Sequence, residues 1–310
     1  MTSSKVSDVG VSVVIAAWNA ADFIQKAIDS ALSQENVQVE VIVIDDASED
    51  NTVEVVKAYQ DKRVVLIQSE NNGGPGAARN LGFAAARGEW IAVLDSDDYF
   101  LPGRLAGLLS HADETVDILI DPVVEQHHGD DKHVPFFNQG ELPADELTLS
   151  HLISTNLIFT NIKSTGYLKP VFRKRFLQEN QITYWPEVRI GEDYYFLASC
   201  LAHGAKARMA EQSGYVYTIR TDSISRTMNV EDIHVLLAND ERFLSQFSLE
   251  KESEKAQGLR TRNLIRGRDF LQLVRYIKSR QMLKGLELVF NSPRSAMLLW
   301  LPVRKRWLGY

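Results

Sequence analysis

Residues 89–98 read EWIAVLDSDD. An apolar run, Trp90 to Leu94, ends in three carboxylates within four residues. The run is short and flanked by polar residues, as in a strand buried on both faces. Asp95, Asp97 and Asp98 repel one another and resist desolvation, so the cluster needs donors, a cation or solvent to stabilise it. In an extended segment Asp95 and Asp97 project to the same face. A turn after Asp97 lets Asp98 point elsewhere. Hard divalent cations prefer carboxylate oxygens, and Mg²⁺ usually takes one or two of them together with substrate phosphates. The plainer alternative is a solvated turn with aspartates capping the helix before YFLPGRL.

Upstream, strand-like and helix-like segments alternate. VSVVIAA (11–17) and VEVIVIDDAS (39–48) read as two more buried strands, and VVLIQS (64–69) as a further strand. After the first, Phe23, Ala27 and Ala31 with Ile24, Ile28 and Leu32 recur at helical spacing, and Asn19 or Asp22 is the expected cap. EDNTVEVVKAYQ is a second helix, and GGPGAARNLGFAAARG is a glycine-rich loop feeding a third that ends near Gly88. This alternation implies a mostly parallel sheet with right-handed crossovers. In such sheets ligands bind beyond the carboxyl ends of the strands. Three strand ends carry polar signatures: AAWN (16–19), DDAS (45–48) and DSDD (95–98). Two acidic pairs, Asp45 with Asp46 and the DSDD group, are expected to face one cleft. A nucleotide supplies matching partners: a base N–H, ribose hydroxyls and a metal-bound diphosphate. NNGGPGAARN is placed to close over it, with Arg79 pairing a phosphate or an aspartate.

Beyond residue 100 the chain is less periodic. HHGDDKH (127–133) reads as a polar loop whose spacing matches no common zinc pattern. LTLSHLISTNLIF is a candidate helix. GEDYYFLASCLAHG (191–204) is a helix with Asp193 near its start and Gly204 as terminator. A carboxylate delivered there from a distant part of the chain is a candidate general base; simple complementarity to the helix N-terminus is its structural alternative. GYVYTIR (214–220) is a strand, and from about residue 229 the chain reads as helical.

The chain has 310 residues, 45% hydrophobic and 24% charged, values of a soluble globular protein. No apolar stretch is long enough to span a membrane, and the start, MTSSKVSDVG, lacks a signal-peptide pattern. A single cysteine, Cys200, excludes an intrachain disulfide and fits a reducing cytosol. The net charge of −7 is uneven: Lys255 to Tyr310 holds thirteen Lys+Arg against Asp269 and Glu287, a net +11, leaving −18 for the first 254 residues. A basic tail on an acidic body suits an anionic membrane surface or packing onto the body itself; nucleic acid is not expected as a partner. No G-x-x-x-x-G-K-[ST] loop, no G-x-G-x-x-G in the first βα turn and no G-x-S-x-G elbow is present.

Taken together, VSVVIAAWNAADFIQKAIDSALSQ, EVIVIDDASEDNT, NNGGPGAARNLGFAAARGEWIAVLDSDD, KPVFRKRFLQENQI and GEDYYFLASCLAHG resemble glycosyltransferase family 2, over roughly residues 11–226. The resemblance implies an α/β GT-A fold: a Rossmann-like, mostly parallel central sheet flanked by helices, followed by a mainly helical basic C-terminal extension. The implied domains are 1–228, with a nucleotide-binding half at about 9–100 and an acceptor half at about 101–228, and then 229–310. It is most similar to members that build bacterial exopolysaccharide or lipopolysaccharide repeat units.

The implied activity is an inverting, metal-dependent transfer of a sugar, glucose as first guess, from a UDP-sugar to a hydroxyl of a lipid-linked acceptor. It implies that Ala17, Trp18 and Asn19 border the base, although the family's usual proline and tyrosine are here Ala17 and Trp18. Asp46, with Asp45, would read the uracil edge; Asp95 and Ser96 would approach the ribose, and Arg79 would support the nucleotide. Asp97 would hold Mg²⁺ or Mn²⁺, and Asp193 would be the base with Glu192 adjacent. Arg220 and Ser223, in YTIRTDSISR, would reach phosphate. The implied location is the inner face of the cytoplasmic membrane, with Trp300, Leu301, Trp307 and Leu308 among the contacts.

Three rivals are weighed. Haloacid-dehalogenase phosphatases also use D-x-D after a strand, but need Thr or Val where Tyr99 stands and use the first strand. A sugar nucleotidyltransferase needs a glycine-rich basic first loop. A non-catalytic nucleotide-sugar-binding or membrane scaffold protein would keep DDAS and DSDD but not require GED.

Overall fold

The structure is a computed structural model that describes residues 10–127, 129–219 and 228–299. It divides into two compact units, Met1–Leu149 with Thr165–Asp222, and Ser150–Ser164 with Ser223–Tyr310.

The first unit is built on alternating strands and helices. β1 (Val11–Ala17), β2 (Val39–Asp45), β3 (Val64–Gln68) and β4 (Trp90–Asp95) are parallel and joined by α1 (Ile24–Leu32), α2 (Thr52–Lys57) and α3 (Pro75–Ala85). Every residue of β2 is buried, as a run covered on both faces requires. α3 lies close on β1 and β2 because Gly82 has no side chain: a Cβ there would strike Val14 and Ile44. The chain continues through β5 (Tyr99–Phe100), α4 (Arg104–Leu109), β6 (Ile118–Ile120), β7 (Val123–His127) and β8 (Val134–Pro135). After the excursion into the second unit come β9 (Val171–Arg173), α6 (Lys174–Glu179), α7 (Glu192–Ala202), β10 (Ala207–Met209) and β11 (Tyr215–Ile219). The main sheet has the order β10-β6-β9-β4-β1-β2-β3, and β5-β11-β7-β8 form a second. Only β9 runs antiparallel to both its neighbours in the main sheet.

Register settles the convergence of the strand ends. Ala17 pairs with Asp45 across β1 and β2, and Ala16 with Asp95 across β1 and β4. The three polar signatures therefore leave the same edge side by side.

Two local expectations are corrected. Neither Asn19 nor Asp22 caps α1; Phe23 holds the cap position without a side-chain bond. The loop after β2 holds the turn that leads into α1: Thr52 Oγ1 accepts from the Ala20 N–H at 2.8 Å and Asp50 from the Ala21 N–H at 3.1 Å. The DSDD segment is not extended: β4 ends at Asp95, and the Asp98 N–H donates back to the Asp95 carbonyl at 3.1 Å. Asp95 and Asp97 thus do not share a strand face.

The second unit is helical, with α5 (Leu149–Thr155) leading into it and α8 (Val230–Gln246), α9 (Lys251–Lys278), α10 (Met282–Asn291) and α11 (Pro293–Ala296) following residue 229. The sequence reading counted residues 150–164 with the acceptor half; here they group with the C-terminal helices. Ile158 and Phe159 sit where a Cβ on Gly267 would be, the Phe159 and Phe270 rings meet at 5.3 Å, and Asn263 bonds both the N–H and the carbonyl of Ile158. No helix among the described residues is long and apolar enough to cross a membrane.

Candidate active site

At the carboxyl edge of the first unit, β1 ends in Ala17, Trp18 and Asn19. Ala17 is buried and its carbonyl accepts from the Asp46 N–H at 2.8 Å, whereas Trp18 is 50% exposed. Asn19, at φ 50°, ties the two loops together: its N–H donates to Ser48 Oγ and its Oδ1 accepts from the Glu49 N–H. An exposed aromatic ring on a fixed loop is a stacking surface.

Asp45 and Asp46 are both buried but differ in partners. Asp46 accepts from the Gly73 and Gly74 N–H groups at 2.9 and 2.7 Å, so its carboxylate holds the glycine-rich loop. Gly74, at φ +86°, supplies the left-handed turn this approach needs. Arg189 grips the same loop from the other side through the Asn72 side chain and carbonyl, both at 3.1 Å. Both oxygens of the Asp46 carboxylate are engaged by this loop. Asp45 Oδ2 takes the Ser48 N–H at 3.3 Å, while its Oδ1 is buried with no partner among the described residues. A buried acceptor left unpaired costs about 1–3 kcal/mol, which an arriving N–H donor recovers.

The acids of β4 and α7 meet in one ion cluster. Arg79, on α3 and buried, reaches Asp95 at 2.7 Å, Asp193 at 2.8 Å and Glu192 at 3.1 Å. Lys169, just before β9, places Nζ 2.6 Å from both Asp95 Oδ2 and Asp193 Oδ2. The Tyr184 hydroxyl donates to Asp193 at 3.2 Å, and its ring stacks on Phe196 at 4.1 Å. Gly191, at φ 74°, opens α7 and places Glu192 and Asp193 in its first turn, where the helix dipole favours negative charge.

Two cations thus face three carboxylates. Burial opposes ionisation of Asp95, but Lys169 and Arg79 outweigh it and hold that carboxyl well below the usual range. Burial and the charge of Asp193 push Glu192 up, and Arg79 and Lys169 only partly offset this. Burial opposes protonation of Lys169, yet Asp193 and Asp95 raise it, so the ammonium stays charged.

In the turn after β4, Ser96 and Asp97 are half-buried and Asp98 is fully inside. Asp98 accepts from the Tyr215 hydroxyl at 2.7 Å and the Thr218 N–H at 2.8 Å. Burial and the charges of Asp95 and Asp97 push its carboxyl up. It anchors the acidic turn to β11 rather than capping a helix.

Among the described residues no group of three or more His, Cys, Asp or Glu forms a metal cage. Both Asp95 oxygens are engaged by Arg79 and Lys169, and Asp97, half-buried in the same turn, is a second hard-oxygen group there. One carboxylate fits a Mg²⁺- or Mn²⁺-sized ion that brings diphosphate oxygens with it.

The structure brings together Asp45, Asp95, Arg79, Glu192 and Asp193 as acids and base of one strand-edge region. Arg220 and Ser223 lie outside the described residues. Lys169, Tyr184 and Asp98 went unassigned by sequence reasoning. Lys169 opens KPVFRKRFLQENQI, a segment singled out for its order in the chain, but a lone lysine before a short strand carries no signal of its own.

Known proteins share this architecture. The solved structure of S. aureus TarS 1–349 in complex with UDP-GlcNAc matches with a TM-score of 0.62 at 23% identity, over 80% of this chain and 70% of that one. The mannosyltransferase PcManGT from Pyrobaculum calidifontis, in complex with GDP-Man and Mn²⁺, matches with a TM-score of 0.60 at 16% identity, over 99% and 92%. By sequence, the succinoglycan biosynthesis protein ExoO of Rhizobium meliloti (strain 1021) is 41% identical over 304 residues, 97% of this chain and 86% of that protein. ExoU of the same organism is 33% identical over 266 residues, covering 83% and 75%. The family model for glycosyl transferase family 2 matches residues 12–176. With the fold, the strand-edge acids and these relatives in agreement, the chain belongs to glycosyl transferase family 2 and is a glycosyltransferase.

Proposed function

We propose that this glycosyltransferase moves a hexose, glucose as the first choice, from a UDP-sugar to a hydroxyl of a growing, lipid-linked polysaccharide repeat unit by an inverting single displacement. The carrying observation is the shared cluster: Asp95, from the nucleotide edge, and Asp193, almost a hundred residues later, meet on the same Lys169 ammonium at 2.6 Å each. Relatives named for succinoglycan biosynthesis support the polysaccharide setting.

In this reading Trp18 stacks on the base and Asp45 Oδ1 accepts its N–H. Asp46 fixes the loop that closes over the nucleotide, and Ser96 with Asp95 lines the ribose side. Asp97 would hold a Mg²⁺ or Mn²⁺ ion, which would supply charge stabilisation to the departing diphosphate. Asp193 accepts the acceptor's hydroxyl proton as that oxygen bonds to the anomeric carbon. The bond from that carbon to the diphosphate breaks on the opposite side, and its electron pair leaves with UDP. The acceptor hydroxyl displaces one of the three donors now on Asp193. Arg79 and Lys169 hold the carboxylate in place, and Glu192 stands beside it. Acceptors of this class sit at the cytoplasmic membrane face, where the basic residues 255–310 meet anionic lipid.

A panel of UDP-sugars with Mg²⁺ or Mn²⁺ tests the reading through thermal stabilisation and slow donor hydrolysis. One donor should stabilise the protein and be hydrolysed, and chelation or Asp97→Ala should abolish turnover. Hydrolysis of simple phosphate esters without any response to UDP-sugars would transfer the chain to a phosphatase reading.

A further inference from the structure

The helical unit carries an apolar stripe on the side of α10 away from its helical support. α10 packs on α9 through Gly285, which a Cβ would bring against Leu273 and Tyr276. On the flank turned outward, Met282, Leu283, Leu286 and Phe290 are 59%, 85%, 65% and 88% exposed, and Met297 beyond it is 69% exposed. These four positions recur at helical spacing, so they form one continuous stripe. Large apolar side chains gathered in one exposed patch mark an interaction surface.

Lys278 and Arg280 precede α10, Lys284 lies on it and Arg294 follows it, all exposed. None of them forms an ion pair among the described residues, whereas Arg268 and Arg275 nearby in sequence are paired with Asp269 and Glu231. Glu287 is the one acid on α10. A second copy docked through the same stripe would set these cations against their own kind. An anionic bilayer accepts both halves of the pattern, with apolar side chains at the acyl boundary and cations among the phosphates. α10 has 10 residues, about half of the ~20 a spanning helix needs, so it suits the interface plane.

We propose that α10 lies flat in an anionic membrane surface, with Leu283, Leu286 and Phe290 in the acyl boundary and Lys278, Arg280, Lys284 and Arg294 at the headgroups. This rests on the membrane reading given above and narrows it from a basic region to one helix face.

Co-sedimentation of the full-length chain with vesicles tests it, using phosphatidylcholine alone and phosphatidylcholine mixed with phosphatidylglycerol. The wild type should bind the mixed vesicles, more weakly at high salt, and ignore the neutral ones. The double variant Leu283→Asn/Phe290→Asn should lose on the order of a hundredfold in affinity for the mixed vesicles. Its melting temperature and its donor hydrolysis in solution should stay those of the wild type, because both residues are exposed. Lys278→Gln/Lys284→Gln should bind less tightly and with a shallower salt dependence. Unchanged binding of the apolar double variant overturns the assignment to α10 and leaves a membrane-bound basic region standing. No binding by the wild type overturns both. A dimer that Leu283→Asn/Phe290→Asn converts to monomer, with vesicle binding intact, gives the stripe to a second copy instead.

Discussion

Arg79 in the strand-edge unit and Arg260 in the helical unit are both buried guanidiniums held by carboxylates, and they do opposite work. Arg260 donates through Nε to both oxygens of Asp240, at 3.1 and 3.0 Å, and through Nη1 to the Asn156 carbonyl at 2.6 Å. Gln257 adds a bond to Asp240 at 2.9 Å. Among the described residues one cation meets one anion, and Gln257 and Asn156 add neutral bonds. Arg79 is different: with Lys169 it faces three carboxylates, and its Nε is buried without a partner among the described residues. A balanced pair is a structural tie. A cluster with surplus negative charge attracts a proton or a cation, which is what a transfer site needs.

The comparison breaks most sharply at Asp193. Asp193→Asn should reduce transfer to the true acceptor by about 10²–10⁴-fold, the range of lost general-base assistance, while donor binding persists. Rates near wild type would end the base assignment, and a larger loss in Glu192→Gln would move the role to Glu192.

The structural counterpart is Arg260→Met. It removes the buried Arg260 guanidinium from the buried Asp240 carboxylate, so unfolding should become easier by about 3–5 kcal/mol in chemical denaturation. Below its lowered melting temperature, kcat should stay close to wild type. A kcat loss matching that of Asp193→Asn would erase the distinction between the two clusters.

Lys169→Met separates positioning from stability. Transfer should fall by roughly ten- to a hundredfold, chiefly in kcat, since the base is less well aimed. Lys169 is one of two cations that hold Glu192 down, so its loss raises that carboxyl further. The acid limb of the pH–rate profile should move to higher pH, and Lys169→Arg should restore part of it. A profile left in place would make Lys169 a packing residue only.

The smallest effect is expected at Glu40, a buried acid of β2 that accepts from Ser12 Oγ at 2.6 Å and from the Arg87 N–H at 2.7 Å. Burial opposes its ionisation, but Ser12 and Arg87 outweigh it and its carboxyl lies below the usual range. A lowered folded-state value means stability that is present above the unfolded value of about 4.3 and lost as pH falls through the folded one. Glu40→Gln should therefore cost about 1 kcal/mol at neutral pH, with Arg87 mostly in solvent, and the difference should shrink below about pH 4. A constant difference across pH would show a packing effect.

Much of this protein was legible in its residues. VSVVIAA became a strand of the length read, while the strands read over 39–48 and 89–98 stop at Asp45 and Asp95, where the acids begin. Parallel connections then left one edge for AAWN, DDAS and DSDD. The helix starting at Glu192 was marked by its acids and closed by Gly204. What failed was local geometry that depends on distant partners. The turn leading into α1 is held by Asp50 and Thr52, and the turn after Asp95 is drawn in by Tyr215 and Thr218, contacts between residues far apart in sequence.

The sequence alone determined the alternating fold, the family and the acids that gather at one edge, because periodicity and strand-end chemistry are local properties of the chain. Only the tertiary structure decided how those acids divide their labour. Asp46 holds a loop while Asp45 keeps an unpaired oxygen, Asp98 is an anchor, and Lys169 joins Asp95 to Asp193. A carboxylate's role follows from which donors reach it and how far burial strengthens their charge, and neither is written in the spacing of residues.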